Sequence, residues 1–207
     1  AKKILELIGI EDCQGFPSFE ISDVQVLFTK TISACLCLDN FHYAHKILAK
    51  MHEVELQPSR ECLELFALAY AQSSLALKAR KTERKFRGEK DSVMNDSVHK
   101  ATKAYKIVMT LSDAKIHPNV VVKVAKACGR AGLFSKARML LRILHKYAIE
   151  PGEETLRYDP IVLQGMKCTH SFLLRQCASQ GNTTAAIWFA NDIQRFGKRM
   201  AQRKVDA

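Results

Sequence analysis

The residues best suited to chemistry lie close together in one stretch: Cys35 and Cys37, followed by His42 and His45. Thiolates and imidazoles are zinc ligands, and four of them this close together are enough in kind and number for a tetrahedral site. Residues two apart on a helix, however, point about 160° away from each other. Cys35 and Cys37 therefore face opposite sides, and their thiols read better as small packing groups than as ligands. Other chemical signatures are missing. The segment GEKDS at 88–92 lacks the leading glycine spacing and the Lys-Ser/Thr pair of a phosphate loop. The sequence contains no G-x-S-x-G elbow, H-E-x-x-H pair or dinucleotide fingerprint. The expectation is a non-enzyme with no catalytic residues, no bound metal and no cofactor.

What remains is charge, and it is unevenly placed. The formal net charge is +11, yet residues 1–66 carry 6 Lys/Arg against 10 Asp/Glu, a net of −4 that leaves +15 for the rest. Between Lys115 and Lys146 there are eight Lys/Arg and no Asp/Glu. A field of that kind attracts phosphate backbones and other anionic surfaces. Lys123, Lys126 and Arg130 are spaced three and four apart, so they form one stripe along a helix. A second basic run, KARKTERKFRGEK, brings Arg80, Lys81, Arg84 and Lys85 together with Lys78, Arg87 and Lys90. It reads in three ways: a phosphate-contacting arm, a nuclear-import patch, or a solvated helix extension leading into a loop at 88–96.

The elements that must position these cations are helices. Hydrophobic residues make up 47% of the chain, aromatics 8%, with 9 Gly and 5 Pro in 207 residues, a profile of packed Ala, Leu, Ile and Val helices. No apolar run approaches the roughly 18–20 uncharged residues of a membrane span. Seven cysteines are an odd number with no even framework, and most sit in apolar stretches. They point to a reducing compartment: cytosol, nucleus or an organelle matrix. The chain starts at Ala1 without a secretory segment and is expected to be a trimmed fragment.

An internal repeat sets the fold class. Ala44, Ala104, Ala137 and Ala186 are each followed three residues on by an apolar residue (Ile47, Ile107, Leu140, Phe189). Seven residues on comes another (Met51, Leu111, Leu144, Ile193). These spacings share one helical face. In the first three copies an I/L-x-P ending follows, at Leu56, Ile116 and Ile149. Each such helix B is preceded by a helix A, expected at 26–38, 62–73, 120–131 and 168–180. Gly132 and Gly181 stand at the A-to-B turn, where positive φ is wanted. The architecture expected is an all-α helix-turn-helix repeat solenoid of about four units. The units are 25–59, 60–119 with an insertion at about 75–98, 120–152, and 167–199 after a linker at 153–166. Before them, residues 1–24 form a short helix (2–8) and a loop containing Gly15 and Pro17. Trp188, beside Phe189, is expected to pack in the core or between units.

Helix A ending CGRAG or CASQG, the helix B alanine and the I-x-P terminus together resemble the pentatricopeptide repeat family. The best stretches are FTKTISACLCLDNFHYAHKILAKMHEVELQPS and VVVKVAKACGRAGLFSKARMLLRILHKYAIEPG, and the resemblance covers about residues 25–199. It implies a superhelix that binds single-stranded RNA, roughly one base per unit. It also implies work in RNA processing, stability or translation in a mitochondrion or plastid, with cytoplasm and nucleus as alternatives. Carried over by alignment, the base readers are Thr29 with Ser59, Glu64 with Asn119, and Ser171, with Val122 at the same place in the third unit. Val26, Glu61 and Cys168 take the base-sandwiching positions. Asn119 is thus partnered by a carboxylate, and Glu61 stands where the family puts an apolar residue. Base-by-base reading and recognition by shape and charge both remain open. The partner expected is single-stranded RNA bound by a monomer. The alternative is a protein-interaction scaffold or a subunit of a larger ribonucleoprotein.

Overall fold

A computed structural model describes residues 21–84, 90–111, 116–147 and 160–205. The described residues form eight helices and no strand, so the fold is all-α. In chain order they are α1 (Ile21–Cys37), α2 (Phe41–Glu53), α3 (Arg60–Arg84), α4 (Lys90–Thr110), α5 (Pro118–Arg130), α6 (Phe134–Tyr147), α7 (Pro160–Ser179) and α8 (Thr183–Val205). They fall into two compact units that divide at Ala69 and Tyr70, within α3. The helix expected at 2–8 and its loop lie outside the described residues.

In the first unit α1 packs against α2 as a hairpin. Val24, Phe28, Ile32 and Leu36, each four residues from the last, are all buried. That stripe is why this segment folds as an amphipathic helix. It shares a core with Ala44 and Met51 of α2, Leu56, and Cys62, Phe66 and Ala67 of α3. The Ser59 hydroxyl caps α3 by accepting from the Cys62 amide at 3.1 Å.

The second unit holds the rest of α3 and α4 to α8. Here α5 packs against α4, α6 and α7, while α6 also meets α7 and α8, and α7 meets α8. Buried serines join α3 to α4: the Ser74 hydroxyl donates to the Ser97 carbonyl at 2.9 Å, and the Ser97 hydroxyl to the Ser74 carbonyl at 3.2 Å. Such reciprocal bonds satisfy groups that would be expensive to bury unpaired. The apolar centre comes from Val121 and Val124 of α5, Leu140, Leu141 and Leu144 of α6, Met166 and Leu173 of α7, and Phe189 of α8.

The same turn recurs in three hairpins. The amides of Asn40, Leu133 and Asn182 donate back to the carbonyls of Cys35, Cys128 and Cys177 at 2.9, 2.8 and 2.9 Å. This six-to-one bond needs a left-handed residue just before its donor. Gly132 (φ +81°) and Gly181 (φ +66°) supply it in two hairpins, and Asp39 (φ +57°) in the third.

Two expected boundaries are corrected. The loop expected at 88–96 is helical from Lys90 onward, because α4 extends the alanine-bearing helix toward its N-terminus. The insertion therefore lengthens the α3–α4 hairpin. The linker expected at 153–166 ends at Pro160, which opens α7; proline at a first helical position lacks only an amide that would be unpaired anyway. In α8 the buried residues are Ala185 and Phe189, whereas Ile193 is 40% exposed. Among the described elements α8 packs mainly against α7 and α6, which leaves Ala186 half-buried and Ile193 exposed.

Candidate nucleic-acid interface

The predicted cation stripe is built on α5. His117 caps this helix, its Nδ1 accepting from the Asn119 amide at 3.3 Å, and Pro118 occupies the first turn. Eight residues of α5 are buried, from Val120 to Gly129, which fixes its rotation and leaves one outward strip. On that strip Asn119 and Lys123 are exposed, and Lys126 and Arg130 are half-buried.

The neighbour of this strip is α7, and the two helices run parallel and close. Val122 approaches Gly165 near their starts, and Gly129 faces Leu173 further along. A Cβ added to Gly129 would run into Leu173 Cδ2, so any larger residue here requires that buried side chain to shift. Along α7 the exposed polar groups are Gln164, Lys167, Ser171 and Arg175. Neither helix contains a single Asp or Glu. The α5/α7 pair therefore presents Lys123, Lys126 and Arg175 beside the amides and hydroxyl of Asn119, Gln164 and Ser171, while Lys167, two residues from Gly165, lies on the flank of α7 turned away from α5. The sequence reading missed Lys167 and Arg175. The signal was present in the run from Pro160 to Asn191, which carries no acidic residue.

The other cations of the 115–146 run take different places. Arg130 donates to the Leu75 carbonyl at 2.8 Å and lies over the Phe172 ring at 6.0 Å, so it ties α5 to α3 and α7. Lys136 donates to the Thr102 hydroxyl at 3.2 Å. Arg138 grips Asp192 of α8 with two bonds of 2.6 and 2.8 Å, and its guanidinium stacks 5.6 Å from the Trp188 ring. That pairing holds the Asp192 carboxyl below its usual range. Trp188, expected in the core or between units, is 36% exposed and not in the core, and it serves as the apolar shelf for Arg138 of α6.

The alignment-derived positions scatter. Thr29 is turned inward at 6% exposed, its hydroxyl donating to the Gln25 carbonyl at 2.9 Å. Val122, at the same place in the third hairpin, is also buried, while Ser171 in the last is exposed. A base reader must face solvent, so Thr29 contributes nothing to an open face. Ser59 is engaged as the α3 cap, and Glu64 is paired with Arg60 at 2.7 Å. Val26, Glu61 and Cys168 are exposed. The side chains of Arg80, Lys81 and Arg84, and Lys85 altogether, lie outside the described residues.

The thiols weighed as zinc ligands and read instead as packing groups divide, and the packing reading is corrected for Cys37, which lies open at the end of α1. Cys37 is exposed, Cys35 half-buried, and the His45 ring lies 5.1 Å from Phe66. Burial pushes the Cys62 thiol up to about 11 and the Cys128 thiol to about 12, which makes both poor nucleophiles. No helix among the described residues is long and apolar enough to cross a membrane.

No protein-family model and no curated protein matches this chain, so any reading of its function rests on its own residues.

Proposed function

We propose that the α5/α7 face binds single-stranded RNA, chiefly through its phosphate backbone. The observation that carries this reading is the pair of parallel, closely packed helices that present Lys123, Lys126 and Arg175, with Lys167 on the α7 flank, and contain no carboxylate. Phosphate contacts of this kind supply affinity and position without sequence information. Asn119, Gln164 and Ser171 add donors and acceptors able to meet base edges or the 2′-hydroxyl. The finer architecture proposed with it is a repeat solenoid. It is supported by three hairpins with the same turn and by the contacts of α5 with α7 and of α6 with α8. The inward turn of Thr29 and Val122 favours backbone recognition over base-by-base reading.

The test is fluorescence anisotropy with a labelled oligoribonucleotide across a salt series. Wild-type affinity should fall steeply with salt, and Lys123→Glu/Lys126→Glu/Arg175→Glu should bind at least about ten-fold more weakly. Its log–log salt slope should be shallower by about two, from roughly 0.7 per lost single-strand contact. Absence of binding at low salt, or an unchanged slope, would falsify the reading.

A second reading is favoured by one observation. Ile187, Trp188 and Ile193 of α8 are 60%, 36% and 40% exposed, an apolar set that suits a protein partner. A defined partner retained after nuclease treatment and lost in Ile187→Asp/Ile193→Asp supports a scaffold. Retention in that variant rejects this face.

A further inference from the structure

Away from the α5/α7 face, a cavity of about 160 Å³ opens on the seam between α6 and α8. Leu141, Arg142, His145, Asp192, Arg195 and Phe196 line it. Its size is informative. A space of about 150 Å³ accepts a benzene-sized body, whereas pockets for larger organic ligands begin at about 300 Å³. The seam therefore fits one small group rather than a whole nucleotide.

Its charge decides which group. The one carboxylate in the lining, Asp192, already receives two bonds from Arg138, so its negative charge is answered from the α6 side. Arg142 and His145 also act on Asp192 through their charge, and Arg142 and Arg195 line the seam without a hydrogen bond to that carboxylate. Both are exposed, and neither makes an ion pair among the described residues. Two planar guanidiniums on neighbouring helices carry the paired N–H donors that suit a tetrahedral oxyanion, donors a lysine pair lacks. His145, whose ring lies 4.6 Å from Phe196, adds a third nitrogen-bearing group beside an aromatic floor.

We infer that the α6/α8 seam is a phosphate-binding site, in which Arg142 and Arg195 clamp a single phosphate group against His145 and Phe196. The site does not depend on the α5/α7 reading, since it shares no residue with that face. The same chemistry can be delivered by free phosphate or by the 5′-phosphate of an RNA end.

The experiment titrates the isotope-labelled full chain with inorganic phosphate, at ionic strength held constant with chloride, and follows the arginine Nε–H signals. Saturable shifts at Arg142 and Arg195 are expected. Affinity should fall about ten-fold or more in Arg142→Gln/Arg195→Gln, a change of two exposed side chains that leaves the core intact. Lys123→Glu/Lys126→Glu/Arg175→Glu should bind phosphate as the wild type does, even if its RNA binding is lost. In a second arm, RNA carrying a 5′-phosphate is compared with the same RNA ending in a 5′-hydroxyl. A preference for the phosphorylated end that needs both arginines assigns the group to RNA, and no preference assigns it to the free anion. Shifts that never saturate, or equal phosphate affinity in the double glutamine variant, overturn the proposal.

Discussion

The α5/α7 pair and the α6/α8 pair are both rich in cations, but they use them differently. On α6, Arg138 is locked to Asp192 and Lys136 to Thr102, so those two charges hold helices in place. On α5 and α7, Lys123, Lys126, Lys167 and Arg175 make no ion pair with any described residue, Arg175 donating only to the Ser171 carbonyl of its own helix at 3.4 Å, and neither helix carries an acid. A net charge of +11 therefore says little by itself. What matters is which charges already have a structural partner, because only the others can meet an anion without breaking the fold.

The largest effect is expected where the two pairs share a foundation. Gly129→Val places a branched side chain where α5 and Leu173 of α7 meet, and Leu173 is fully buried with little room to give. Overpacking and helix strain should lower stability by about 3 kcal/mol, the upper part of the usual range. Chemical denaturation measures it. A variant as stable as wild type would show that α5 and α7 are not so close, and the continuous cationic face would be lost with that contact.

Next comes the pair itself. Asp192→Asn leaves Arg138 without its carboxylate at a site where the side chains are 22% and 16% exposed. Partial exposure lets water soften the loss, so about 1–2 kcal/mol is expected, less than for a fully buried pair. RNA affinity should not change. If Asp192→Asn weakened RNA binding as much as removing Lys123 does, the division between structural and free cations would fail.

Part of this division was legible in the sequence and part was not. The turns were, because Gly132 and Gly181 punctuate two apolar-periodic runs and only a left-handed residue closes such a turn. The Lys123, Lys126 and Arg130 stripe was legible as a stripe, since spacing fixes which residues share a helix face. Spacing cannot say what lies beyond the face. Arg130 meets the Leu75 carbonyl from a helix far away in sequence, and Thr29 is covered although its aligned counterpart Ser171 is open. The early start of α7 was readable from Pro160 but was masked by the acidic, polar residues 150–159 before it. The phosphate seam was the least legible of all. It needs Arg142 and Arg195 brought together across two helices, and it needs Asp192 to be neutralised by Arg138.

A pH series sharpens the same comparison from the α7 side. His170 is 5% exposed, with Nδ1 2.9 Å from the Met166 carbonyl, and burial lowers its pKa below the ordinary 6.5. His145 lies 5.9 Å away, and Asp192 pulls weakly in the opposite direction. Because the folded chain resists the proton that the unfolded chain accepts, stability should fall as pH drops below about 6.5. The fall should level off below the depressed folded value. His170→Gln should flatten that fall relative to wild type in melting temperatures measured from pH 7.5 to 5, and an identical slope in both proteins would reject His170 as its source.

The smallest effect is expected at the cations that matter most for binding. Lys123→Gln/Lys126→Gln removes an exposed and a half-buried side chain with no ion pair among the described residues, so stability should change by no more than about 0.5 kcal/mol. The sign can even be favourable, because two like charges three residues apart on α5 repel each other modestly. Melting temperature checks this, and RNA anisotropy on the same sample checks its counterpart, a weaker complex. A variant that loses stability instead would mean these lysines hold the fold together, as Arg138 does. α5 would then have no free charge to offer an RNA, and the face would be reduced to the cations of α7.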